Sequence, residues 1–442
     1  MAGFPDPGRT LHPRACVEPI HRALPRGPNV FLAGPRQAGK TSVLHLLGRA
    51  LLESGTAPNA VAYADLEDPR LRRTFDGGVP SVVAHLRASG HRTEERLTVF
   101  LDEVHLLADP SNLLKLLADH HPELRLVFTA SSTHAARAKF RDSMAGRHVA
   151  FEVLPLSLSE SLPFRGLEHL RSALAGRSLS SSLGARRLAE PLSHAHAAAL
   201  ADAFEDHVRW GGFPAVALEP EEEARRRLLD GLLDTYLRRD LRDLFTIGSP
   251  GGFESLLHTL AGRSAGLLNV HGLSHDLAIS RPTILRYLLA LEATFVVARL
   301  LPFFTNPVKQ LVKMPKIHFV DPGIRNRLLE DHRSPGERPD GGALVESAVF
   351  AELRKTFLTG RLHYWRTKSG AEVDFVWRHE GEAVPIEVRF ARMRSSEVPS
   401  GLRAFVKEFS PRRAFVLTRD TGGEARIGRC RVRFLPAFAA GG

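Results

Sequence analysis

Residues 29–42 constrain this chain more than any other stretch. The apolar run Val30-Phe31-Leu32-Ala33 leads straight into Gly34-Pro35-Arg36-Gln37-Ala38-Gly39-Lys40-Thr41-Ser42. Gly34 and Gly39 bracket four residues and Lys40-Thr41 follows at once, the spacing of a phosphate-binding loop set between a buried strand and a helix start. Glycines let successive backbone N–H groups turn toward an anion, and the helix opening behind them adds the positive end of its dipole. Lys40 is expected to reach the outer phosphates and Thr41 to hold Mg²⁺, with residues 34–42 as a whole cradling ATP. Val43, Leu44, Leu46 and Leu47 continue the helix with an apolar face.

The next 110 or so residues alternate apolar runs with helical patterns, as a parallel α/β sheet requires. A second run at 60–64 ends in Asp65-Leu66-Glu67-Asp68-Pro69, acids that stand either near a nucleotide or at a helix cap. The third run, 97–101, ends in Asp102-Glu103. One acid after such a strand supports the metal, and the next polarises the attacking water, so Asp102 and Glu103 are assigned those roles. A fourth strand at 126–129 is followed by Ser131, either a γ-phosphate sensor or a helix cap. Gly146-Arg147 precedes a fifth at 148–154, and Arg147 is either an arginine finger, within or between subunits, or a surface residue.

A length of 442 residues with 43% hydrophobic content allows two to four domains with buried cores. Cys16 and Cys430 lie too far apart in sequence to suggest a disulfide framework or a cysteine zinc site, and a reducing cytoplasm is expected. Neither a leader peptide nor a membrane span is expected, because the most apolar late stretch, 284–304, is broken by Arg286, Glu292 and Arg299. A formal charge of +11 permits a nucleic-acid partner. Arginine greatly outnumbers lysine, though, and that bias also arises from base composition.

Beyond Pro155 the pattern turns helical. Residues 253–260 and 273–278 form two amphipathic segments, and Arg281-Pro282-Thr283-Ile284-Leu285-Arg286 opens another helix with proline well placed at its start. With apolar strands at 295–301 and 316–320, this is the outline of a winged helix. Arg281, Thr283 and Arg286 are its candidate contacts to duplex DNA, although such folds also bind protein partners.

The final module begins near Gly341 with a helix carrying Glu346. A strand with Glu372-Val373-Asp374 and another with Glu387-Val388-Arg389 follow. Glu346, Asp374 and Glu387 are the carboxylates that a divalent-metal nuclease would set around a scissile phosphate. The expected lysine position is Arg389, which stays protonated and needs more room. That substitution favours an inactive nuclease-like fold over an active one.

Taken together, Gly34 to Thr41, Asp65 to Pro69, Asp102-Glu103, Gly146-Arg147, Gly211-Gly212-Phe213-Pro214, Lys313-Met314-Pro315-Lys316, Asp321-Pro322-Gly323 and Glu372-Val373-Asp374-Phe375 resemble the AAA-type ATPases that join an AAA_14 domain to a C-terminal DUF4143 domain. The resemblance implies ATP binding, a winged-helix middle region and a restriction-endonuclease-like C-terminal fold. The expected layout is an arm at 1–28, a P-loop ATPase core at 29–160, a helical lid or linker at 161–248, a winged-helix-like part at 249–335 and a DUF4143 domain at 336–442. The expected function is Mg²⁺-dependent ATP hydrolysis coupled to action on DNA. Its rival is a slow nucleotide-dependent switch that binds a protein partner, with oligomerisation open in either case.

Overall fold

A computed structural model describes residues 8, 10–24, 28–130, 146–185, 187–235, 250–304, 313–357, 361–390 and 397–441. Its contacts divide the chain into two compact units, the first made chiefly of the chain up to Pro155 with a short later piece at Ala293–Phe295, and the second of most of the rest.

The first unit is a five-stranded sheet. Strands β1 (Asn29–Ala33), β2 (Val61–Asp65), β3 (Leu97–Asp102), β4 (Leu124–Thr129) and β5 (His148–Glu152) lie in the order β2-β3-β4-β1-β5, all parallel. Strands sealed on both faces read as unbroken apolar runs, and all five residues of β1 are buried. Its neighbours are β4 and β5, so β4 separates the phosphate-loop strand from the acidic strand β3. The helix Lys40–Glu53 packs Val43, Leu44 and Leu47 onto this sheet. Within the expected arm, Cys16, Ile20 and Leu24 around the helix Val17–Ala23 are buried in the same core. This segment therefore belongs to the domain.

The second unit holds a six-stranded mixed sheet made of β8 (Arg361–Arg366), β9 (Glu372–His379), β10 (Glu382–Arg389), β11 (Arg413–Thr418), β12 (Gly423–Ile427) and β13 (Cys430–Pro436). The order is β12-β13-β11-β10-β9-β8, with β10, β11 and β13 parallel and the remaining pairs antiparallel. Strand periodicity sorts β11 onto two faces. Phe415 and Leu417 join Val345, Val349 and Leu353 of the helix Gly341–Thr356, while Ala414 and Val416 join Leu402, Phe405 and Val406 of the helix Ser400–Phe409. Helices thus cover both faces.

Before this sheet come the helices Pro250–Gly262, Val270–Leu277 and Arg281–Ala293 and a two-stranded antiparallel ribbon, β6 (Val297–Leu300) and β7 (Lys316–Phe319). Two distant motifs meet nearby. Asp321 accepts from the Gly212 N–H at 2.7 Å and from the Gly323 N–H at 2.9 Å, and a Cβ on Gly211 would lie 2.1 Å from the same carboxylate. Among the described residues no helix is long and apolar enough to cross a membrane.

Candidate functional site

The phosphate loop leaves the C-terminal end of β1, the edge at which open α/β sheets bind ligands. Gly34 is required by close approach, because a Cβ there would sit 2.1 Å from the Val153 carbonyl. Gly39 lies at φ +93°, a left-handed conformation that only glycine adopts without strain. Lys40 is buried at the first position of the helix and donates to the Gly34 and Pro35 carbonyls at 3.3 and 3.1 Å. Its ammonium therefore lies over the loop.

β3 brings Asp102 to the same edge, 3% exposed. Three hydroxyls converge on it. Thr41 hydrogen-bonds it, Thr129 donates to its Oδ1, and the Tyr63 hydroxyl donates to Oδ2 at 3.3 Å. Burial pushes the Asp102 carboxyl above its ordinary value, against the hydrogen bonds from Thr129 and Thr41. A buried carboxylate linked to the loop's threonine supplies hard oxygen donors, so Thr41 and Asp102 fit a Mg²⁺ ion.

Glu103 follows in left-handed backbone (φ +56°), a conformation that costs a non-glycine residue about 1–2 kcal/mol. Its N–H donates to the Thr129 hydroxyl at 2.9 Å, and its carboxylate meets His105 Nδ1 at 2.9 Å. Burial pushes this carboxyl up, but His105, Lys40 and Arg36 outweigh it and hold it below the ordinary carboxylate range. Glu103 is therefore held in its ionised form beside His105.

Two contributors had no sequence signal. Thr129, fully buried at the end of β4, ties Asp102 to the Glu103 backbone. Only the strand order reveals it, because β4 must lie between β1 and β3. Arg14, buried in the N-terminal segment, donates to the Ala38 carbonyl at 2.8 Å and the Leu154 carbonyl at 2.7 Å. In sequence it looked like every other arginine of the arm. Ser131 lies outside the described residues. The acids at 65–68 divide: Asp68 caps the helix Pro69–Asp76, while Asp65 stands in register with Asp102.

Arg147 requires a correction. Its carbonyl accepts from the Asn29 N–H at the start of β1, and its guanidinium pairs with Asp119 at 2.6 Å. β1 has 5 residues, or about 17 Å at ~3.3 Å per residue, between that edge and the phosphate loop. Arg147 is therefore on the wrong edge of the sheet to serve its own subunit's nucleotide.

Family comparisons accord with this geometry. Residues 26–162 match the AAA domain family AAA_14, and residues 341–437 match the domain of unknown function DUF4143. An AAA_14 domain and a DUF4143 domain bracket this chain. Residues 201–334 between them match a further domain of unknown function, DUF8612. An uncharacterized protein of Mycobacterium tuberculosis is 27% identical over 84% of this chain and 72% of its own length. One of Methanocaldococcus jannaschii is 22% identical over 63% and 58%. Among solved structures, the Walker-type ATPase of Pyrococcus abyssi aligns over 71% of this chain and 94% of its own, at 17% identity and a TM-score of 0.44. By its all-parallel sheet and the phosphate loop leaving β1, the part matching AAA_14 has a P-loop NTPase-like fold.

The DUF4143 domain brings its three expected carboxylates together, along with Lys316 and Glu372, two motif residues to which the sequence assigned no role. Lys316 of β7 reaches Glu346 at 2.8 Å, Glu372 at 2.6 Å and Asp374 at 3.8 Å. Asp374 also accepts from the Val388 N–H at 2.8 Å, and Arg389 holds Glu387 at 2.7 Å. Burial and then the Asp374 charge push Glu346 up to about 8 and Glu387 up to about 9. Burial disfavours the Lys316 ammonium, but Glu346, Asp374 and Glu372 outweigh it and raise its pKa above the ordinary lysine value. Among the described residues no group of three or more His, Cys, Asp or Glu side chains is arranged to hold a metal ion. The expected metal set of Glu346, Asp374 and Glu387 therefore does not fit a metal here, because an ammonium stands among the carboxylates.

The candidate DNA residues lie on the helix Arg281–Ala293. Arg281 and Arg286 are exposed, and Thr283 is half-buried with its hydroxyl 2.9 Å from the Ser280 hydroxyl at the helix start. The same helix exposes Leu285 (46%) and Leu289 (49%).

Proposed function

We propose that this protein is a Mg²⁺-dependent ATPase whose nucleotide state governs what its second unit engages. The hydrogen-bonded chain Thr41–Asp102–Thr129–Glu103 carries this reading, because it joins the phosphate loop, a metal-binding carboxylate and an ionised glutamate at one sheet edge. Loop N–H groups and Lys40 would bind the phosphates. Mg²⁺ held by Thr41 and Asp102 would neutralise phosphate charge. Glu103, kept ionised by its cationic neighbours, would orient the attacking water and take its proton. Arg14 would brace the loop through Ala38.

The deciding experiment is ATP turnover by the purified protein and by Glu103→Gln, with ATP binding measured alongside. Retained binding with turnover lost supports the assignment, and equal turnover in the variant overturns it. Duplex DNA is the first partner to test, through Arg281 and Arg286, with stimulation that weakens as salt rises. A second reading rests on Leu285 and Leu289, since two leucines one turn apart on an exposed helix suit a protein groove better than phosphates. Salt-insensitive turnover unaffected by DNA would favour that switch-like alternative.

A further inference from the structure

The carboxylate cluster of the DUF4143 domain has more acid than an ordinary ion pair uses. Glu346, Glu372, Asp374 and Glu387 come from one helix and two strands, and Glu346, Glu372 and Asp374 face a single ammonium. That ammonium is itself 3% exposed. Glu387 is 2% exposed, and its Oε2 has no hydrogen-bond partner among the described residues, although its Oε1 is held by Arg389. A buried carboxylate oxygen left unpaired beside three other acids marks a site shaped for a cation.

Lys316 is held there by its backbone as much as by charge. β7 pairs with β6, Lys316 bridges to Leu267, and His318, two residues on and fully buried, stacks on Phe350 at 4.4 Å. The Tyr364 hydroxyl donates to the Met314 carbonyl just before β7, and the Tyr364 ring lies 5.8 Å from the ammonium. Arg366 takes the second oxygen of Glu372 at 3.3 Å. The ribbon is therefore tied to the sheet on one side of the lysine and to the helix Gly341–Thr356 on the other.

We propose that Lys316 is the resident cation of this cluster: it latches the β6–β7 ribbon onto the DUF4143 sheet and, while in place, keeps divalent metal ions out. A compact ammonium satisfies Glu346 and Glu372 directly and occupies the volume a metal would need. The exposed Arg389 pairs directly with Glu387 and acts on Asp374 from farther off.

The test is Mn²⁺ uptake by the full-length protein, read from the loss of the free-ion electron paramagnetic resonance signal. Asp102→Asn is included throughout so that the phosphate loop does not contribute. The protein with Lys316 should take up no Mn²⁺ at sub-millimolar concentration. Lys316→Met should gain one site per chain and show a melting temperature that rises with Mn²⁺, and adding Asp374→Asn should abolish both. Should Lys316→Met not fold, Lys316→Met with Glu372→Gln lowers the buried charge, leaves three carboxylates and carries the same test. Uptake at these acids with Lys316 present, or no gain when it is removed, would overturn the proposal.

Discussion

Among the described residues, the buried carboxylates of the AAA_14 domain and those of the DUF4143 domain are completed in opposite ways. In the AAA_14 domain, Asp102 is surrounded by the hydroxyls of Thr41, Thr129 and Tyr63, neutral groups that can turn toward whatever is bound. In the DUF4143 domain, Glu346, Glu372 and Asp374 are surrounded by one another and by Lys316, a cation of the chain itself. Hydroxyls hold a carboxylate without cancelling its charge. An ammonium cancels the charge and fills the space. A cluster of acids is thus a binding site only where its neutralising partner has to come from outside.

The largest effect is expected at Lys316. Removing one partner of a buried ion pair leaves uncompensated charge and typically costs about 3–5 kcal/mol, so Lys316→Met without metal should lower the urea midpoint of the second unit by a corresponding amount. A midpoint unchanged by that substitution would mean the carboxylates are not held by Lys316. Arg14→Ala comes next. It removes two charge-assisted hydrogen bonds of about 1.5–3 kcal/mol each to loop-flanking carbonyls, and should weaken ATP binding about tenfold or more by isothermal titration. Unaltered affinity would show that the loop does not need this brace.

A pH series sharpens the contrast between units. Burial lowers His332 and His363, both of the second unit, to about 4. Their folded values lie below the unfolded value near 6.5, so the folded state binds fewer protons between those limits. Stability of this unit should be full above about pH 6.5 and fall as pH drops toward 4, followed by denaturant midpoints at successive pH values. His332→Asn should flatten part of that slope, and an identical slope would remove His332 from the account. The smallest effect is expected from Arg147→Ala, which should leave ATP affinity unchanged in dilute, monomeric protein. A large loss there would require its reassignment to the nucleotide site.

How much of this was legible beforehand follows from how local each signal is. The phosphate loop, β1 and β3 with Asp102-Glu103 could be read because a strand, a turn and a helix start each write their requirements into adjacent residues. Thr129 and Arg14 could not, since each acts on a loop or acid supplied by a distant part of the fold. Lys316 and Glu372 each belong to a motif, but Lys316 stands far in sequence from Asp374 and no periodicity links β7 to β9, so their pairing could not be read. Arg147 was open to better reading. A residue just before a parallel strand lies at the edge opposite a loop that follows one, and strand polarity alone separates Arg147 from the nucleotide of its own chain.

The most direct test is a crystal structure of the full-length protein with a non-hydrolysable ATP analogue and Mn²⁺, with the metal located by its anomalous scattering. We predict an Mn²⁺ peak between Thr41 and Asp102 and none among Glu346, Asp374 and Glu387. A peak at those three acids with Lys316 in place, or no peak at Thr41 and Asp102, would contradict the account.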